Sequence, residues 1–105
     1  MEEFDIAIIG GGPAGIMAAI AASADLNVVL LEKNSSLGSK LLITGGGRCN
    51  ITNEKPIKKL LNSFHDKNFL KHSFYTFTNE MLLDLFRNRG LDFIVEDNNR
   101  VFPET

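Results

Sequence analysis

Two glycine-rich stretches carry most of the chemistry that this chain's residue types permit. The first is GGGPAG, in which Gly10, Gly12 and Gly15 stand in the order G-x-G-x-x-G. That spacing suits a pyrophosphate. The first glycine turns tightly out of a strand, the second leaves backbone bare to the ligand, and the third lets a helix lie close on the sheet. A helix opening there aims free N–H groups and a partial positive charge at the phosphates. Pro13 fits the first helical turn, where its missing N–H costs little, and Ala14 follows it. Glu32 stands 17 positions past Gly15. An acid near that place hydrogen-bonds a ribose hydroxyl and repels a 2′-phosphate. The set points to a dinucleotide of the FAD or NAD type rather than NADP.

The second stretch is TGGGRCNITN, from Thr44 to Asn53. Gly45, Gly46 and Gly47 precede Arg48, the only cysteine of the chain (Cys49) and Asn50. Glycine runs weaken strands and helices, so a purely structural purpose explains them poorly. Backbone without side chains can lie against a flat or highly charged ligand. Arg48 could neutralise a pyrophosphate or sit beside negative charge developing on a ring, and Lys40 could do the same from the preceding turn. Asn50, Thr52 and Asn53 carry groups suited to turn capping or ring hydrogen bonds. The position five after Cys49 is Glu54, so a C-x4-C dithiol relay is excluded. Two readings of Cys49 remain: a lone thiol activated by Arg48, or a small residue that fits the loop.

Positioning these residues requires strands and a helix. Phe4 to Ile9 is a short apolar run bounded by glycines and reads as a buried strand. IMAAIAASA reads as a helix, and Val28 to Glu32 as a second buried strand. Asn27, at the turn between them, is expected at positive φ. Strand, helix and strand with a short crossover imply a parallel βαβ unit. The fold class is α/β, a partial Rossmann-like domain: residues 1–53 form the dinucleotide-binding core and TGGGRCN loop, and residues 54–105 a helical segment plus a hairpin. In that second part, IKKLLNSF reads as a short helix after Pro56, and NFLKHSFYTF as helix then loop. Thr78 is an N-cap for NEMLLDLFRNR, with Gly90 as its stop. LDFIVEDNNRVF reads as two strands turning at Asn98 and Asn99. The phenylalanines here read as core rather than a base-stacking platform. His65, His72, Lys58, Lys59, Lys67 and Lys71 read as solvated, and no metal site is expected.

The balance of the whole chain narrows the classes of function. Its 105 residues are 44% hydrophobic and 23% charged, with a net charge of −2. That balance gives no overall footprint for nucleic acid and no polybasic segment for a membrane surface. One cysteine makes no internal disulfide. The acidic start MEEFD is unlike a signal peptide, and IMAAIAA is too short to span a bilayer, so a cytoplasmic location is expected. The chain stops at NRVFPET, directly after an expected strand, and reads as part of a longer protein.

GGGPAGIMAA, LLEKNSSLGSKLLITGGGRCNITN and RVFP together resemble the N-terminal portion of the BaiN/RdsA (YhiN-like) NAD(P)/FAD-dependent oxidoreductases. The resemblance covers nearly the whole chain, and TGGGRCN-x-TN is its most specific block. It implies FAD as the dinucleotide. It also implies that Gly10, Gly12, Pro13, Ala14 and Gly15 hold the pyrophosphate, and that Glu32, with Lys33 beside it, holds the adenosine ribose. Lys40, Thr44, Gly45, Gly46, Gly47, Arg48, Cys49 and Asn50 would line the pyrophosphate and flavin side. The implied activity is hydride transfer between flavin and an organic substrate, with no catalytic acid or base in these residues. A small-molecule or RNA substrate would be met through regions outside this chain, and the oligomeric state is open. Two alternatives stay open: a truncated, non-catalytic ADP- or dinucleotide-binding module, and an NAD-binding subunit.

Overall fold

The computed structural model describes residues 1–104, which form two compact units, Met1–Gly47 and the residues from Arg48 onward. The first unit is built on β1 (Ile6–Ile9), α1 (Pro13–Ala22) and β2 (Val28–Leu31). β1 and β2 pair in parallel, from Ile6 opposite Val28 to Ile9 opposite Leu31. Branched residues suit the pleated ladder, while the alanine-rich IMAAIAA segment suits the helix between them. Gly12 is the N-cap of α1, and Pro13 opens its first turn.

Two expectations fail in this unit. Asn27 is not at positive φ, a conformation that its neighbours do not require. Instead its N–H donates to Asp5 Oδ2 at 2.8 Å, its side-chain amide donates to the Glu3 carbonyl at 2.8 Å, and its own carbonyl accepts from Asp5 N–H. These bonds tie the entry of β2 to the segment before β1. The strands are also less buried than their apolar character implies: Ile9 is 84% exposed and Leu31 50%. Two strands and one helix supply too few layers to cover both faces of a parallel sheet. Among the described residues of this unit, the buried positions are two glycines, Gly11 and Gly38.

The second unit contains β3 (Thr52–Asn53), α2 (Ile57–Leu61), α3 (Lys67–Thr76), α4 (Asn79–Arg87), β4 (Phe93–Glu96) and β5 (Arg100–Pro103). β5 lies between β3 and β4, antiparallel to both. Asn98 and Asn99 turn the β4–β5 hairpin where a turn was expected, with φ of 64° and 61°, a left-handed conformation that asparagine tolerates. Thr78 caps α4, its hydroxyl oxygen accepting from Met81 N–H at 3.2 Å. β3 is too short to leave a sequence pattern. α3 runs unbroken to Thr76, where a helix followed by a loop was expected.

The hydrophobic core lies in this unit: Leu61, Leu83, Val101 and Phe102 are buried. Two edge-to-face aromatic pairs, Phe64–Phe74 and Phe86–Phe93, extend it, each worth about 0.5–1.5 kcal/mol beyond area burial. Asn79 is also buried, and its amide donates to the Asn53 and Lys55 carbonyls. The expectation that the phenylalanines are core holds for Phe102 and fails for Phe69, which is 84% exposed, and for Phe64 and Phe77, which are also exposed. Among the described residues no helix is long and apolar enough to cross a membrane.

Candidate dinucleotide-binding site

The glycine turn after β1 is shaped by contacts that glycine alone permits. A Cβ on Gly15 would stand 1.9 Å from the Gly10 carbonyl oxygen, so the close approach of α1 to the strand exit requires hydrogen at that position. Gly12 presents the opposite case. Its φ of −82° and ψ of −174° suit any residue, and a Cβ built there meets nothing within 4 Å. Nothing inside the protein asks for glycine at position 12. A ligand lying against that backbone would.

Beside this turn is a cleft of about 390 Å³ lined by Gly11, Gly12, Glu32, Lys33, Asn34, Gly38, Ser39 and Lys40. Glu32 organises it. One carboxylate oxygen accepts from Gly11 N–H and the other from Asn34 N–H, both at 2.8 Å. The Asn34 bond, then the Gly11 bond, hold the Glu32 carboxyl below its ordinary value. The anion therefore ties the glycine turn to the loop after β2, while each oxygen keeps a second lone pair open to a further donor. Gly38 N–H donates to the Gly11 carbonyl at 2.8 Å and closes the same loop from its far end.

Of the sequence-predicted residues, the structure brings Gly12, Glu32, Lys33 and Lys40 to this cleft, with Gly10, Pro13, Ala14 and Gly15 forming the turn and helix start beside it. Gly11, Asn34, Gly38 and Ser39 were not anticipated. The signal that could have found them is the polar, turn-forming stretch KNSSLGSK directly after β2, with its glycine at φ +68°.

The second glycine run divides between the two units. In the first, Leu41–Gly47 makes two tight turns broken at Thr44, Gly45 and Gly46. Thr44 Oγ1 donates to the Leu41 carbonyl at 2.7 Å. Gly45, Gly46 and Gly47 all sit at positive φ, which glycine adopts without strain. Gly46 and Gly47 also face open space, with nothing within 4 Å of a built Cβ.

In the second unit, Arg48 makes a bidentate pair with Glu96, Nη1 lying 3.1 Å from Oε1, and its guanidinium stacks 4.2 Å from the Phe102 ring centroid. The pair raises the Arg48 pKa and lowers that of Glu96. Sequence reading assigned Arg48 to a ligand without foreseeing Glu96, 48 positions away. Cys49 is half-buried at φ 62°. Asn50, with its amide turned to satisfy both neighbours, donates to the Thr52 and Val101 carbonyls.

Residues 4–105 match the family model described as HI0933-like protein Rossmann domain. The chain belongs to that family. It is 37% identical over 103 residues to the 3-dehydro-bile acid delta(4,6)-reductase of Clostridium scindens, covering 95% of this chain and 25% of that protein. With the ribosomal RNA dihydrouridine synthase of Escherichia coli it shares 38% identity over 94 residues, 87% of this chain and 23% of the relative. With the mitochondrial dihydrolipoyl dehydrogenase of Caenorhabditis elegans the figures are 39% over 74 residues, 70% and 13%. The chain thus spans about a quarter of the length of the first two relatives. The matched stretch is the Rossmann domain of that family.

Proposed function

We propose that this chain is the FAD-binding N-terminal portion of a flavin-dependent oxidoreductase, serving hydride transfer between flavin and an organic substrate. One observation carries the reading: Gly12 has no internal reason to be glycine, yet it borders a cleft that Glu32 holds open. The residues present fit the adenosine diphosphate half of the cofactor. Gly10, Gly12, Pro13, Ala14 and Gly15 present bare backbone and a helix start to the pyrophosphate. Glu32 accepts from the ribose, with Lys33 beside it, and Lys40 supplies positive charge. Thr44, Gly45, Gly46, Gly47, Arg48, Cys49 and Asn50 form the stretch assigned to the flavin side. When bound, FAD supplies the hydride chemistry. This chain's residues hold and orient it and supply electrostatics, and none is assigned as a catalytic acid or base.

The relatives' names point to unlike substrates, a 3-dehydro bile acid and ribosomal RNA. Substrate choice is therefore assigned to residues outside this chain. A cytoplasmic location is part of the same proposal, in keeping with the single cysteine.

The test is an FAD titration of the chain and of Gly12→Ala, read by flavin fluorescence, with ADP and NAD as competitors and circular dichroism as the check on folding. The expected outcome is quenching by the native chain and at least tenfold weaker binding by a Gly12→Ala variant of unchanged helical content. Equal binding by the two would overturn the assignment of Gly12. A second reading, an ADP- or dinucleotide-binding module without a redox role, draws support from the cleft being formed wholly within Met1–Gly47. FAD and ADP binding with equal affinity would favour it.

A further inference from the structure

Gly10, Gly11 and Gly12 are consecutive glycines, the most flexible backbone a chain can carry. Unsupported, they would aim their N–H groups in many directions. Two bonds remove that freedom. The Gly11 N–H donates to Glu32 Oε1, and the Gly11 carbonyl accepts from the Gly38 N–H, both at 2.8 Å. Gly11 therefore keeps no N–H for a ligand.

The direction of the next donor follows from peptide geometry. A trans peptide unit is planar, so its carbonyl and the following N–H point in opposite directions. The Glu32 bond sets the Gly10–Gly11 plane, whose carbonyl lies against Gly15. The Gly38 bond sets the Gly11–Gly12 plane. With the Gly11 carbonyl turned to Gly38, the Gly12 N–H is held pointing the other way. Among the described residues it has no protein acceptor.

Gly38 is itself held in place. It is buried, and its carbonyl accepts from the Leu42 N–H at 3.1 Å. A Cβ there would make only ordinary contacts, 3.9 Å to Leu41 and 4.0 Å to Ile16, but its φ is +68°. Space permits a side chain, and the backbone conformation disfavours one. A glycine that merely turned the loop would need the positive φ alone. Gly38 also spends its N–H on the carbonyl whose plane carries the Gly12 donor. We propose that Gly38 is a positioning residue for the dinucleotide, aiming the Gly12 N–H at the pyrophosphate through the Gly11 carbonyl. The inference rests on the dinucleotide reading of the cleft.

The experiment is amide hydrogen exchange and ADP titration of the 105-residue chain, followed residue by residue by nuclear magnetic resonance. In the free native chain the Gly11 and Gly38 amides should exchange slowly and the Gly12 amide fast. ADP should shift the Gly12 amide resonance and slow its exchange. Gly38→Ala should weaken ADP binding about tenfold, the scale of forcing an L residue into the left-handed region, with helical content retained by circular dichroism. At saturating ADP the shift at Gly12 should shrink, while those at Ala14 and Gly15 remain. Gly38→Asn should bind within about threefold of native, because asparagine tolerates that conformation. The native exchange pattern tests the inference even where Gly38→Ala fails to fold. A Gly12 amide protected before ADP is added, or untouched by it, would overturn the proposal. So would equal ADP binding by the native chain and Gly38→Ala, or a loss of shift spread evenly over Gly12, Ala14 and Gly15. Absence of ADP binding by the folded native chain would overturn the reading of the cleft together with this inference, whereas the other outcomes leave that reading standing.

Discussion

Met1–Gly47 and the unit from Arg48 onward are held in shape by opposite means. In the first, the buried positions are Gly11 and Gly38, places where a side chain has been removed. In the second they are mostly large apolar residues: Leu61, Leu83, Val101 and Phe102. The first unit spends its sequence on backbone that must approach other backbone or a ligand, while its branched residues stay largely uncovered. The second spends its sequence on packing, caps and hairpin turns. A residue change should therefore act on binding in one unit and on stability in the other.

The most damaging change to binding is expected at Gly15→Ala. The new methyl would stand 1.9 Å from the Gly10 carbonyl oxygen, and that neighbour is backbone, which cannot swing aside. Nucleotide binding should fall by more than about a hundredfold, the scale of losing roughly 2.7 kcal/mol, as read by FAD titration. Gly11→Ala is the contrasting case: its hard clash is with the flexible end of Leu37, with Glu32 Oε1 and Cβ only tight at 3.2 and 3.3 Å, so it should be milder. If the two variants bound alike, the close-approach argument for Gly15 would fail.

The largest effect on stability is expected at Phe102→Ala, which empties a site only 2% exposed. About 3–5 kcal/mol of stability should be lost. Thermal denaturation followed by circular dichroism would show it as a large drop in midpoint. A small drop would mean that this unit is not organised around Phe102.

Glu32→Gln should weaken FAD binding about tenfold, as expected when a charged acceptor is lost. The same residue sets a pH dependence. Its folded pKa lies below the ordinary 4.5, so its contribution is fully present above that value and is lost as pH falls through the depressed one. Binding should stay level from neutral pH down to about 4.5 and decline only below it. A decline centred on pH 6 would implicate another group.

Thr78→Ala removes the oxygen that accepts from Met81 N–H and should cost about 1 kcal/mol in the denaturant midpoint. Smallest of all is Glu96→Gln. The Arg48–Glu96 pair is partly exposed, and such pairs are screened by salt and contribute little. The expected effect is a slight fall in thermal midpoint at low salt, absent at 1 M salt. Because the pair lowers the Glu96 pKa, its contribution too is present above the ordinary carboxylate value and fades as pH falls through the depressed one.

Much of this was legible residue by residue. The βαβ order, the glycine turn, the Thr78 cap and the Asn98–Asn99 hairpin all rest on signals within a few positions of each other, where side-chain period and turn chemistry act directly. Asn27 was misread because its partners, Glu3 and Asp5, lie more than 20 positions back. β3 was missed because two residues show no alternation. The phenylalanines were read together as core, although an apolar residue records only that burial is favourable, and Phe69 shows that it need not occur.

By itself, then, the sequence determined the glycine turn after β1, the acid directly after β2 and the family to which the chain belongs. Those depend on local backbone geometry and on spacing along one chain. The tertiary structure alone decided that Glu32 clamps Gly11 to Asn34, that Arg48 is paired with Glu96 over Phe102, and that Lys58, Lys67, Lys71 and Tyr75 share one surface. Each of these depends on which distant segments meet, and that is settled by packing and hydrogen-bond pairing across the fold, which no local pattern encodes.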